Sequence, residues 1–273
     1  MSAGYYDTFS EAWLEEIDET RYNGEVSSPR GMKTREQRWR QIVVHEPLSF
    51  PVAVKGRQFR DVIGVLEGLS LVGQVSIPET FTSRVAKFGD FLDDGVFHGA
   101  YATRAHGAIG EVVNLLTRDP DSRQAVISVF DSSRDLNRIK SDIPCTIALH
   151  FMKRGKELEM NATMRSNDMW LGTPYDFTQF AILQATIAQA LKLKPGLYVH
   201  SAGSLHLYER DFTKVDLIDY DDEANTDRMD FPLWGADDIG EISSRARALL
   251  LNPKDFQPTT MFERWAQTHM MLG

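Results

Sequence analysis

Between Cys145 and Tyr208 the hydrophobic period of the chain changes twice, from two to 3.6 and back to two, and a chain that does this must lay a helix on a sheet. Residues 145–152 and 156–164 read as two strands joined by Lys153-Arg154-Gly155, a hairpin turn with glycine in it. In the second strand Leu158, Met160 and Ala162 fall on one face. Residues 176–191 read as a long helix whose buried stripe is Phe177, Phe180, Ile182, Leu183, Ile187 and Ala188, and residues 197–208 return as a strand. The class is α/β.

Polar chemistry collects where the hairpin meets the helix. Residues 164–176 run Met-Arg-Ser-Asn-Asp-Met-Trp-Leu-Gly-Thr-Pro-Tyr-Asp, and the only cysteine, Cys145, opens the hairpin upstream. A thiol, a guanidinium, a hydroxyl and two carboxylates thus lie beside strongly apolar strands. Taken alone, the same residues also describe a polar strand-to-helix turn and a cysteine buried as a small hydrophobe.

Four ordered motifs favour a site. Pro144-Cys145, Arg165-Ser166-x-Asp168, Gly172-x-Pro174 and Gly203-x-x-His206-x-Tyr208 resemble the thymidylate synthase family in order and approximate spacing, over residues 97–215. The resemblance implies a three-layer α/β fold with a mixed β-sheet and flanking helices, dimeric through the sheet face. It implies one domain over residues 1–273, with a C-terminal helical extension at 216–273. It also implies a reaction. C5 of a pyrimidine nucleotide is a poor nucleophile, and adding a thiolate to C6 pushes electron density onto it. Cys145 is the residue for that step, ionised with the help of nearby arginines.

The other roles follow from the same resemblance. Tyr101, in Phe97-His98-Gly99-Ala100-Tyr101, stands where family members carry the tyrosine implicated in removing the C5 proton. Arg165 and Ser166 bind the phosphate, with Arg30 on a loop that closes over it and Arg123 reaching it from the second subunit of a homodimer. His206 and Tyr208 bind the sugar hydroxyl, while Asp168 and Gly172 serve 5,10-methylenetetrahydrofolate. Asp176 reads the base: family members that act on uracil have asparagine there, and a carboxylate suits the exocyclic amine of cytosine instead. The alternative for Asp176 is a helix N-cap. Aspartate at this place resembles the deoxycytidylate hydroxymethylases of the family, so the expected activity is 5-hydroxymethylation of dCMP or CMP.

Three departures keep other outcomes open. An ungapped count from Phe50-Pro51 and Lys55 sets Val65 where the family has a catalytic glutamate, with Glu67 about 200° away around the helix. Gln124 stands where a second phosphate arginine is usual, and no tryptophan lies between Thr80 and Arg104, where one commonly packs on the folate. The alternatives are therefore C5 methylation of dCMP or dUMP, and a nucleotide-binding relative without turnover.

The rest of the chain bounds these expectations. Its 273 residues contain no Pro/Gly/Ser-rich linker, which suits one unit with a full core. A net charge of -9 opposes a nucleic-acid partner, since that binding needs clustered Lys and Arg, yet a single phosphate needs only two or three arginines. One cysteine excludes an internal disulfide, no apolar run is long enough to span a bilayer, and a cytoplasmic enzyme without membrane contact or metal is expected. Residues 8–19 read as an amphipathic helix with a solvated acidic face, 23–35 as a loop centred on Arg30-Gly31, and 41–54 as short strand pieces around Pro47 and Pro51. Helices are expected at 58–72, 80–92, 107–118, 241–251 and 260–271, a strand at 125–130, and an acidic stretch at 216–222.

Overall fold

The sheet is built around one long strand. In the computed structural model, which describes residues 3–136, 142–220 and 227–272, β1 (Ala3–Tyr6), β2 (Glu25–Ser27), β3 (Thr34–Val44), β4 (Val126–Ser128), β5 (Thr146–Arg154), β6 (Glu157–Met164), β7 (Asn167–Asp168) and β8 (Lys194–Tyr208) form a single mixed sheet. Its main path is β1-β3-β8-β6-β5-β4, with β2 paired to β3 and β7 to β8. β8 runs antiparallel to β3 and parallel to β6 and β7, so it carries hydrogen bonds along both edges.

The helices are α1 (Phe9–Asn23), α2 (Asp61–Gly73), α3 (Pro78–Thr82), α4 (Tyr101–Arg104), α5 (Ala108–Arg118), α6 (Ser132–Asp135), α7 (Thr173–Ala190), α8 (Phe212–Val215), α9 (Ile239–Leu251) and α10 (Met261–Leu272). α1 and α7 lie on one face of the sheet, and α2, α9 and α10 pack outside α7. The three expected layers are present, with the sheet on the outside. α7 is buried on every side from Thr173 to Gln189, which is why its sequence has no clean stripe. On the opposite face of the sheet Ala148, His150, Met152, Asn161, Thr163, Val199 and Ser201 are only half-buried, and no helix among the described residues covers them. No described helix is long and apolar enough to cross a membrane.

Four sequence expectations change here. The acidic face of α1 is not all solvated: Phe9, Ala12, Trp13, Glu16, Ile17 and Thr20 form one buried stripe at helical spacing, so Glu16 points inward. Arg40 meets it at 2.6–2.9 Å and the Tyr6 hydroxyl donates to it at 2.6 Å. Of the loop expected over 23–35, Asn23 ends α1 and residues 25–35 form the β2–β3 hairpin, with Arg30 at its tip. Of the short strand pieces expected over 41–54 only 41–44 is strand, the end of the 11-residue β3 paired along β8 from Tyr208 back to Tyr198, and 45–54 is turn and irregular chain. Residues 80–92 hold two short turns, α3 and a 3₁₀ turn at Ala86–Phe91. A straight helix would separate Phe81 from Phe88 by about 10 Å along its axis, whereas their rings pack with centroids 5.2 Å apart. The acidic stretch at 216–222 lies partly outside the described residues.

Candidate active site

Four segments converge beside the start of α7. Cys145 sits where the chain enters β5, β7 holds Asn167 and Asp168 against β8, α7 starts at Thr173, and α2 lies along α7. The two helices approach closely at glycines. A Cβ on Gly64 would come within 2.8 Å of Thr178 Cβ, and one on Gly68 within 2.7 Å of Ile182 Cδ1. Glu67 lies three residues from Gly64 and so shares the side of α2 that meets α7.

Glu67, not Val65, enters the site. Val65 is fully buried in the core, while Gln179 donates through Nε2 to Asp176 Oδ1 at 2.8 Å and more distantly to Glu67 Oε2 at 3.4 Å. The two-residue difference turns a side chain about 200° around a helix, from core to site. Burial, then the nearby Asp176 charge, pushes the Glu67 carboxyl up to about 8. Asp176 is pushed up to about 7 by burial, although Asn167 and Gln179 both donate to it and favour its ionised form. No arginine or lysine pairs with either carboxylate among the described residues.

Asp176 is not a helix cap. The N-cap is Gly172, with Pro174 in the first turn, so Asp176 stands one turn inside α7. Its Oδ2 accepts from Asn167 Nδ2 at 2.6 Å. Asn167 Oδ1 accepts from Thr173 Oγ1 at 2.6 Å and lies 3.0 Å from His200 Nε2, and Tyr198 Oη lies 3.0 Å from His200 Nδ1. Every side chain in this line is buried. Gly172 leaves room for it, because a Cβ there would press on Asn167 Nδ2 at 3.2 Å.

The thiol is half-buried and its proton is held. Burial raises the Cys145 thiol above its ordinary value, and the positive charges of Arg165 and Arg30 only partly offset this. In the free protein desolvation outweighs the two arginines. Arg165 donates to the carbonyls of Pro144 at 2.9 Å and Ile143 at 3.0 Å, and its Nη2 lies 3.7 Å from Sγ. It thus holds the loop that carries the thiol, while its Nη1 makes no hydrogen bond among the described residues. Tyr101 stacks on Phe180 with centroids 5.9 Å apart, and burial with the charges of Asp176 and Cys145 drives its phenol far up. Its hydroxyl keeps its proton.

Asp168 accepts at Oδ1 from the backbone N–H of Trp170 at 2.8 Å and of Leu171 at 3.2 Å. Burial raises its carboxyl, and His206 opposes the rise. His206 packs edge-on against Tyr208 at 5.1 Å. Ser166 is half-buried beside Arg165, and Arg30 is exposed at the β2–β3 tip, within electrostatic range of Cys145. Arg123 is not brought in: it is exposed beside β4, at the far edge of the sheet.

Arg57 is a member that its sequence neighbourhood did not suggest. Its guanidinium lies 4.0 Å from the Trp170 ring, 4.2 Å from Phe59 and 4.9 Å from Trp13, with Nη1 buried and unpartnered. Desolvation lowers it to about 10. Asn167 and Gln179 could have been found as the amides nearest Asp176, one inside the Arg165-Ser166-x-Asp168 motif and one at i+3 on the helix. Glu67 needed the helix rotation.

Comparison with known proteins came out in one direction. A family profile described as thymidylate synthase matches residues 73–226, more than half of the chain. A deoxyuridylate hydroxymethyltransferase of Bacillus phage SP01 is 29% identical over 207 residues, covering 69% of this chain and 54% of that protein. A protein of the same description from Pseudomonas phage M6 is 28% identical over 159 residues, covering 55% of this chain and 45% of that one. A thymidylate synthase of Mycoplasma genitalium is 28% identical over 129 residues, covering 46% and 44%. The chain spans about half the length of the curated relatives it matches.

Proposed function

The chain belongs to the thymidylate synthase family, and from that premise we propose that it transfers a one-carbon unit to C5 of dCMP or CMP, giving the 5-hydroxymethyl nucleotide. The observation that carries this reading is the pair of amide donors, Asn167 and Gln179, that meets both oxygens of Asp176. Two N–H donors suit a carboxylate better than an amide, and a carboxylate accepts from the exocyclic amine of cytosine. The relatives' description as hydroxymethyltransferases supports water, rather than hydride, as the final partner of the one-carbon unit.

In this reading Cys145 gives up its thiol proton to water as its sulfur bonds to C6 and the C5–C6 π pair moves toward C5 and the N3–N4 edge of the ring. Once the one-carbon unit is on C5, the C5 proton leaves to water and elimination of the sulfur restores the ring. Glu67, pushed up to about 8, is a carboxylic acid at neutral pH and gives or takes a proton at that edge. Tyr101 stays protonated and orders water near C5 through its hydroxyl. Arg165 Nη1, Arg30 and Ser166 hold the phosphate, and His206 with Tyr208 holds the sugar. A second copy of the chain covers the open sheet face and brings its Arg123 to the same phosphate.

The residues around Asp168 suit a folate. Arg57 offers a buried, unpartnered N–H beside the Trp170 ring, and Asp168 is already anchored by two backbone N–H groups. Bound there, 5,10-methylenetetrahydrofolate supplies the one-carbon unit. Trp170, from the motif itself, does the packing for which residues 80–104 offer no tryptophan.

Uracil is the second reading, favoured by two observations. The phage relatives are described as acting on deoxyuridylate, and Asp176 at about 7 is partly protonated near neutral pH, when its O–H could donate to O4. Tritium release from C5-labelled dCMP and dUMP, with and without methylenetetrahydrofolate, decides between them. Faster release from dCMP is expected; faster release from dUMP overturns the cytosine assignment, and none from either leaves a binding protein. Cys145→Ser should abolish release while nucleotide affinity is kept, and retained release would count against covalent catalysis.

A further inference from the structure

We propose that Asn167, oriented by His200 and Thr173, sets which pyrimidine base Asp176 accepts, so that base choice is decided two side chains away from the ring. This rests on Asp176 reading the base, as above.

The buried line has one consistent direction. His200 is fully buried with no carboxylate partner, and desolvation lowers it to about 3, so its ring is neutral and carries a single N–H. Tyr198, itself raised far above its ordinary value by burial, keeps its proton and has His200 Nδ1 as its acceptor at 3.0 Å. The ring N–H is then on Nε2 and points to Asn167 Oδ1 at 3.0 Å, where the Thr173 hydroxyl also donates at 2.6 Å. Two donors on one atom fix that atom as the amide oxygen. The amide nitrogen must therefore face Asp176 Oδ2, at 2.6 Å.

A reversed Asn167 would place N–H against N–H at His200 and oxygen against oxygen at Asp176, leaving buried groups unpaired on both sides. The orientation of Asn167 thus makes Asp176 an acceptor of hydrogen bonds. An acceptor meets the cytosine amine and opposes the uracil O4. Without the Asn167 N–H, a buried carboxyl retains its proton more readily, gains a donor of its own, and loses its discrimination against uracil. Asn167 and His200 act through Asp176 and are positioning residues.

The test is a competition between dCMP and dUMP in one reaction with methylenetetrahydrofolate and the 273-residue chain, run twice with C5 tritium on one nucleotide or the other. The ratio of the two kcat/KM values does not depend on how much protein is folded. Asn167→Ala and His200→Leu are expected to move the ratio toward dUMP at least tenfold. His200→Gln, whose amide N–H reaches the place of ring Nε2, should restore it to within about threefold of the parent. Tyr198→Phe keeps the ring packing and removes only the hydroxyl; it should shift the ratio at least threefold in the same direction, and it decides the matter if the larger changes prevent folding. Equal losses on both nucleotides, with the ratio unmoved, would overturn the proposal. Asp176→Asn in the same assay separates the two levels: no shift there removes the base reading itself, whereas a shift there without one in Asn167→Ala and Tyr198→Phe removes only the role of Asn167.

Discussion

The two ends of α7 look onto buried carboxylates that are treated in opposite ways. Past its C-terminal end, where α9 meets α10, Glu263 takes both Nε and Nη2 of Arg245, at 2.7 and 2.9 Å, and N–H donors from Gly235 and Thr259. Burial pulls this carboxyl up, but the arginine and the backbone donors win and hold it down to about 2. Asp135 is handled alike, with Arg104 donating at 2.7 and 3.1 Å. Near the start of α7, Glu67 and Asp176 are given amides in place of cations and are pushed up to about 8 and about 7. A buried carboxylate met by an arginine keeps its charge, and one met only by neutral amides is left with burial as the larger influence.

Exchanging these environments should break the contrast most visibly in rate. Glu67→Gln is expected to lower turnover about 10²–10⁴-fold, in line with the loss of an acid–base group, while leaving the melting temperature at pH 8 unchanged or higher. A stable variant with full turnover would remove Glu67 from the chemistry. Arg245→Met is the mirror image: it strands a buried carboxylate and should cost about 3–5 kcal/mol in denaturant unfolding, with turnover per folded molecule preserved. Asp176→Asn comes next. It should shift the dCMP to dUMP ratio by about 100-fold toward uracil, with some loss of stability because one of Asn167 and Gln179 then faces an N–H₂ group.

The sharpest test of sign is the pH dependence of stability. Glu67 and Asp176 hold protons in the native state that an unfolded chain releases near pH 4, so stability should fall as pH rises from about 4 toward 8. Glu263 gives the opposite limb. Its folded value near 2 contributes stability that is present above the unfolded value and lost as pH falls from about 4 to 2. Chemical denaturation of the parent, Glu67→Gln and Glu263→Gln across this range should flatten the first slope in one variant and the second in the other. If Glu67→Gln leaves the neutral slope intact, its carboxyl is not held protonated.

How far the sequence reaches differs from residue to residue, and the differences have physical causes. Hairpin and return strand were legible because each has a period of two within one stretch of chain, and the crossover helix because the apolar run between them is too long for a strand. Cys145, Arg165, Asp168, Asp176, His206 and Tyr208 were legible for a similar reason: short motifs hold them at constant spacing beside strand ends. The partnership of Glu16 with Arg40 was hidden, since five acids on one helix look alike until the buried side is known. Arg57 was hidden too, because its three aromatic neighbours come from α1, its own loop and the segment after β7.

By itself, then, the order of residues determined the α/β class, the strands with clear periodicity, and which thiol and which α7 carboxylate stand at the candidate site. Only packing decided that Glu67 rather than Val65 faces Asp176, because a helix turns each residue by about 100° and its azimuth is set by where Gly64 and Gly68 let it touch α7. Packing likewise decided the proton affinity of those carboxylates. That property depends on how much water the surrounding layers remove and whether a cation replaces it, and neither is written in any local run of the chain.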